Sequence, residues 1–179
     1  MEQLEVNHLT KIELFDYPRH KELKNELYNP LLNYEDKQNH ETNVKATMTE
    51  WAIESPEIKK LQEYIINALK ILPKTLKWGP AGDFKFRNIW ANIYRFGDHT
   101  ISHNHVPEDL TMVYFLTGNK EDTPLIMDDS ETKIYPKEGL IVLFPGYLSH
   151  SVPEHMFNYE RITLSGDINR VRPLLNVPL

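Results

Sequence analysis

The stretch GLIVLFPGYLSHSV, residues 139–152, opens on a run of apolar side chains, Leu140 to Phe144, and closes on a histidine. A run that is apolar on both faces predicts a strand buried on both sides. Pro145 and Gly146 end it, which leaves His150 at the rim of whatever that strand lines. A polar group presented just after the most buried strand is placed to reach the interior between two layers. The competing reading is a histidine that merely caps the strand end.

Working outward, short segments rich in Val, Ile, Tyr, Phe and Thr recur after WGPAGDF: KFRNIWANIYRF, TISHNH, LTMVYFLT, PLIMDD, TKIYP and RITLSGDIN. Gly, Pro, Asp and Asn separate them, the pattern of a sheet-rich sandwich or barrel. The first part of the chain reads differently. DYPRHKELKNELYNP predicts a helix capped by Asp16, with Pro18 in its first turn, Leu23 and Leu27 on one face and Pro30 as the stop. In SPEIKKLQEYIINALKIL, Ser55 is the N-cap, Pro56 the first helical residue, and Ile58, Leu61, Ile65 and Leu69 a core stripe. NYEDKQNHETN between them reads as a polar surface connection. The expectation is one domain over residues 1–179: a helical buttress over 1–80 and a jelly-roll core over 81–179, with the helices packed on one sheet.

Composition narrows the function classes. The chain has 179 residues, 40% hydrophobic and 26% charged, as for an ordinary globular protein. No apolar run approaches the roughly 20 residues that cross a bilayer. The opening MEQLEVNHLTKIEL lacks signal-peptide character, which argues for a cytoplasmic protein. A net charge of −6 argues against nucleic acid, and Arg170 and Arg172 near the end read as a solvated terminus. With no cysteine, any metal must be held by His, Asp or Glu.

Two further segments carry polar groups suited to chemistry. In HNHVPEDLTMVYFL, residues 103–116, His103 and His105 would share one face of a strand and are competent to chelate, or else are two solvated imidazoles. His99 and His155 sit in turn-like polar contexts and are expected at the surface. In ERITLSGDIN, Arg161, Thr163 and Ser165 alternate with Ile162 and Leu164. If the apolar pair faces a covering layer, the arginine and hydroxyls face the cavity. A buried guanidinium needs an anion. A carboxylate matches its fork best, with Thr163 beside it; the rival is an internal salt bridge from Arg161 to Glu160 or Asp167.

Taken together, WANIYRFGDHTISHNH, MVYFL, GLIVLFPGYLSHSV and ERITLSGDIN resemble, in order and separation, the iron(II)/2-oxoglutarate-dependent dioxygenase superfamily. More narrowly, they resemble its prolyl-hydroxylase-like members from phages and bacteria. The resemblance spans Trp90 to Asn169, about half the chain. It implies a double-stranded β-helix, a jelly roll with the metal between its sheets, in the cytoplasm of a host cell if the source is viral. It also implies iron(II) on His103, His105 and His150, and 2-oxoglutarate held by Arg161, Thr163 and Tyr94. The activity implied is hydroxylation of a substrate by dioxygen, with succinate and CO2 released.

Two positions depart from the family pattern. The second ligand is usually the Asp of His-x-Asp, and His105 stands there, so Glu108 or Asp109 in the adjacent loop is the alternative source of a carboxylate. A second aromatic that often supplies a hydroxyl is Phe115. Two rival functions use the same residues. A cupin-type protein would bind a divalent metal with the three histidines and no keto acid, and a non-catalytic jelly-roll module would bind an acidic ligand. The rim loops VPEDL, NKEDTP and PEHMFNYE would set specificity and carry no readable code.

Overall fold

Leu140–Pro145 is a strand buried on both faces. Its alternate residues part to different cores: Ile141 and Leu143 meet helices on one side, and Val142 and Phe144 pack between two sheets on the other. A computed structural model of the chain describes residues 10–35, 42–71 and 83–171, and the same two-sided logic organises its other central strands.

In chain order the elements are β1 (Glu13–Asp16), α1 (His20–Leu32), β2 (Val44–Lys45), β3 (Thr47–Met48), α2 (Pro56–Leu69), β4 (Phe84–Tyr94) and β5 (His99–His103). After them come β6 (Leu110–Phe115), β7 (Leu125–Met127), β8 (Thr132–Ile134), β9 (Leu140–Pro145), β10 (His150–Val152) and β11 (Arg161–Arg170). One sheet runs β1-β9-β6-β11-β4-β3 and the other β2-β5-β10-β7-β8. The ladders between these strands are antiparallel. This is the mainly β jelly roll, a double-stranded β-helix with helices on one sheet, that the sequence predicts.

Both helices cover the outer face of the larger sheet. Leu23, Leu27 and Leu31 of α1 and Ile58, Leu61, Ile65 and Leu69 of α2 pack against Ile162, Leu164 and Ile168 of β11 and their neighbours. The other face of β11 therefore carries its polar residues inward. None of the described helices is long and apolar enough to cross a membrane.

Several boundaries differ from the sequence reading. Asp16 ends β1 rather than capping a helix; α1 starts after Arg19, which makes no side-chain cap bond. Pro30 does not stop it. In the last turn proline forfeits one hydrogen bond, and Leu31 continues the buried stripe, so the helix runs on to Leu32. α2 begins as expected, with Ser55 Oγ accepting from Ile58 N at 3.1 Å. The strand expected through His105 stops at His103, and His150 lies on a three-residue strand rather than beyond one. Arg172 and most of WGPAGDF lie outside the described residues.

Candidate metal centre

His103 ends β5 and His150 opens β10, and the two residues are paired across that ladder. Their ring centroids lie 4.4 Å apart. His105 reaches the same place by another route. It follows the end of β5, where its backbone N–H donates to Gly146 O at 2.7 Å and its carbonyl accepts from Glu108 N at 2.7 Å. That loop turns its ring back to within 5.2 Å of both other histidine rings. One ligand atom from each of the three lies within 4.8 Å of the other two, close enough for one metal ion to draw the rings together.

The outer nitrogen of each ring is already committed. Nδ1 meets Ile101 O at 2.9 Å in His103, Asp167 Oδ1 at 2.7 Å in His105 and Leu148 O at 3.1 Å in His150. With Nδ1 engaged by an oxygen, each ring has Nε2 left as its ligand atom. Burial pushes His150 down to about 3, and burial also lowers His103. Neutral imidazole is the ligating form, so at pH 7 a metal meets no competing proton on either ring.

The carboxylates expected as alternative ligands are occupied elsewhere. Glu108 pairs with Arg87 and with the Asn169 amide, and Asp109 Oδ2 accepts from Arg170 N at 2.9 Å. Both point away along the flank of β11, so the loop does not fold back to give the cluster an acid. Arg170 also lies over the Phe84 ring, at 5.2 Å, and is packed rather than a free basic arm.

Below the histidines lies a cavity of about 30 Å³ lined by His103, His105 and His150 together with Tyr94, Arg161 and Thr163. Arg161 is 1% exposed, and its Nε and Nη1 have no hydrogen-bond partner among the described residues. Its guanidinium lies between the rings of Tyr94, at 4.8 Å, and Phe115, at 5.4 Å. Burial lowers its pKa, yet arginine stays charged. Among the described residues Arg161 forms no salt bridge with either Glu160 or Asp167, and Asp167 pairs with His105 instead. Thr163 Oγ1 accepts from Asn92 Nδ2 at 3.4 Å, and the Tyr94 hydroxyl bonds Thr100 Oγ1 at 2.7 Å.

Above the histidines the cavity opens into a groove of about 730 Å³, walled by Trp51, Trp90, Met48, Val106 and Pro107. Trp90 stacks on His105 at 5.9 Å and meets Trp51 edge-on at 4.6 Å. Trp90, Asn92 and Asp167 were not singled out in the sequence as site residues. The alternation of ERITLSGDIN extends to Asp167 and places it on the cavity face with Arg161. The two remaining histidines stay outside the cluster. His99 is half-buried, and His155 is fully buried rather than at the surface, because Asp98 O accepts from its backbone N–H at 2.8 Å and its Nε2 meets Tyr159 O at 2.7 Å.

Gly146 sets how close the His105 loop can come. A Cβ there would collide with the Glu108 carbonyl, a backbone group that cannot swing aside as a side chain would. Gly146→Ala is expected to cost about 1–3 kcal/mol and to weaken metal binding as the loop shifts. Urea unfolding and a manganese titration of the same protein measure both.

Comparison with known proteins supports this architecture. No protein-family model matches the chain, and no curated protein matches it in sequence. Solved structures do. A prolyl-4-hydroxylase from Pseudomonas putida superposes with a TM-score of 0.67 at 16% identity, covering 92% of this chain and 95% of the other. The viral collagen prolyl hydroxylase of Paramecium Bursaria Chlorella virus-1, solved as its 2-oxoglutarate complex, gives 0.63 at 16% identity over 89% and 96%. EctD from S. alaskensis, solved with 2-oxoglutarate and 5-hydroxyectoine, gives 0.66 at 14% over 90% and 73%. The chain has the double-stranded β-helix fold of these structures.

Proposed function

We propose that the chain is an iron(II)- and 2-oxoglutarate-dependent oxygenase, with His103, His105 and His150 as metal ligands and Arg161, Thr163 and Tyr94 as the cosubstrate site. One observation carries the reading: a buried guanidinium with unbonded donors shares its cavity with three clustered imidazoles whose Nδ1 atoms are each engaged by an oxygen, which leaves Nε2 for a metal. A buried guanidinium with unbonded donors is costly, and among the described residues the buried Asp122 carboxylate acts on it as a charge without bonding it, so the site suits an anion brought in from outside. A dicarboxylate with a keto acid at one end fits: one carboxylate on the Arg161 fork, the other end toward the histidines.

The cavity of about 30 Å³ holds little more than a water, so the cosubstrate must move side chains such as Arg161 as it enters. His103, His105 and His150 would hold the iron, and three protein ligands would leave room on it for the keto acid and for dioxygen. When bound, iron, 2-oxoglutarate and dioxygen supply oxidative decarboxylation to succinate and CO2, with one oxygen atom delivered to a substrate C–H bond as hydroxyl. The protein's own work is placement. Arg161 fixes the dicarboxylate, the aromatic walls of Tyr94 and Phe115 exclude water from it, and the Trp-lined groove holds the substrate over the histidines.

A cupin-type metal protein would use the histidines and leave the guanidinium idle. A binding module would use the guanidinium and leave the ligand geometry idle. The oxygenase alone uses both. Anaerobic protein given iron(II) and 2-oxoglutarate is expected to develop a weak visible charge-transfer band, and on exposure to air to release succinate slowly. A protein that does neither is not this enzyme.

A further inference from the structure

We propose that Asp167 is the carboxylate of this metal centre, moved out by one residue: it acts as a positioning residue that aims His105 at the metal and offsets the metal's charge through the imidazole. The inference rests on the metal-centre part of the reading above and assigns a role to a residue that reading does not use.

Asp167 lies on β11 opposite Asn88 of β4 and Thr111 of β6, just before a register shift in the β4 ladder. It is 6% exposed. Its hydrogen bonds run to His105 Nδ1 at 2.7 Å and Asn88 Nδ2 at 3.3 Å. Among the described residues its ion-pair partner is His105 and no lysine or arginine. A buried carboxylate without a permanent cation is costly to keep ionised. A metal ion on the far nitrogen of His105 is the missing cation, reached through one ring.

The histidine also needs the acid more than its two fellows need theirs. His103 and His150 stand on paired strands, and backbone carbonyls two residues earlier hold their rings. His105 stands on a loop, so its ring orientation depends on side chains: Asp167 at its edge and Trp90 stacked on its face, 17° from parallel. Carboxylate–histidine–metal relays of this kind raise the basicity of the ligand and fix its tautomer. A centre whose ligands are three imidazoles thereby gains one carboxylate in contact with its ligand shell.

Manganese(II) titration followed by electron paramagnetic resonance tests the role on the whole chain without turnover. Asp167→Ala is expected to weaken manganese binding 10- to 100-fold, while the metal-free protein melts within a few degrees of the native chain. Asp167→Asn keeps an acceptor for Nδ1–H but not the charge, and is expected to fall between; it also carries the test if the alanine variant does not fold. In a His105→Ala background the same Asp167 change is expected to add nothing, since its effect passes through that ring. Unchanged affinity in Asp167→Asn and Asp167→Ala overturns the inference while the centre stands. An equal further loss in the His105→Ala background also overturns it, and native protein that takes up no manganese overturns the centre itself.

Discussion

His150→Ala is expected to abolish tight metal binding, weakening manganese affinity by at least 100-fold, and with it succinate formation. Coordination by the remaining pair is poor. His103 is half-buried at the end of β5, and His105 is on a loop, so without His150 neither is braced by the third ring, which now sits 4.4 Å from one and 5.2 Å from the other. His150 is also held in the neutral state, pushed down to about 3 by burial. In the metal-free protein that commitment carries a cost under acid conditions. Below pH 6.5 the unfolded chain takes up a proton that the folded His150 refuses, so it destabilises the fold as the pH falls from 6.5 toward 3. Removing the imidazole removes that term. The variant is therefore expected to lose metal at neutral pH yet fall less in stability between pH 7.5 and pH 5 than the native apoprotein. Calorimetric melting at the two pH values, beside the manganese titration, separates a lost ligand from a lost fold. If His150→Ala kept native affinity, the ion would have to sit elsewhere.

How far the sequence could be read depended on how local the determinant was. The strand Leu140–Pro145, the α2 stripe and the Arg161/Thr163/Ser165 alternation each follow from a few adjacent residues, and each lies where its pattern predicts. The elements that escaped are those made by partners distant in sequence. β10 has three residues and exists because β5 and β7 flank it; β1 has four and is completed by β9. His105 was expected on a strand face, and its true position is set by the Gly146 carbonyl, some forty residues downstream. The three histidines of the same reading do lie together, with His105 brought in by a loop rather than by a strand face. The Asp167 partnership was legible only as a shared face, because which cavity residue an acid meets depends on a loop whose course no periodicity encodes.

Arg161→Met is expected to give two effects of opposite sign. In the apoprotein, a guanidinium that is 1% exposed, with Nε and Nη1 unbonded among the described residues, is costly to bury, and replacing it with an apolar side chain of similar volume is expected to raise stability, less the attraction to buried Asp122 that is lost with it. The walls at Arg161 are already apolar, Tyr94 and Phe115, so a methionine packs there without leaving a new polar group unsatisfied. Binding moves the other way. The 2-oxoglutarate carboxylate loses its forked donor, and truncating one member of a desolvated charge pair costs about 2–5 kcal/mol, a weakening of at least thirtyfold. Manganese affinity without the keto acid is expected to stay within about twofold of native, since Arg161 is not among the clustered ligand groups. Arg161→Lys restores the charge as a point rather than a fork and is expected to recover only part of the loss. The paired signs are what make the test decisive. A structural arginine, held by partners within the chain, would cost stability when removed and leave cosubstrate binding indirectly affected at most. An arginine that serves an incoming anion is expected to raise apoprotein stability when its charge is removed and to lose the anion in the same step. Denaturant unfolding of the apoprotein and calorimetric titration with 2-oxoglutarate, on the same variant, read the two signs directly.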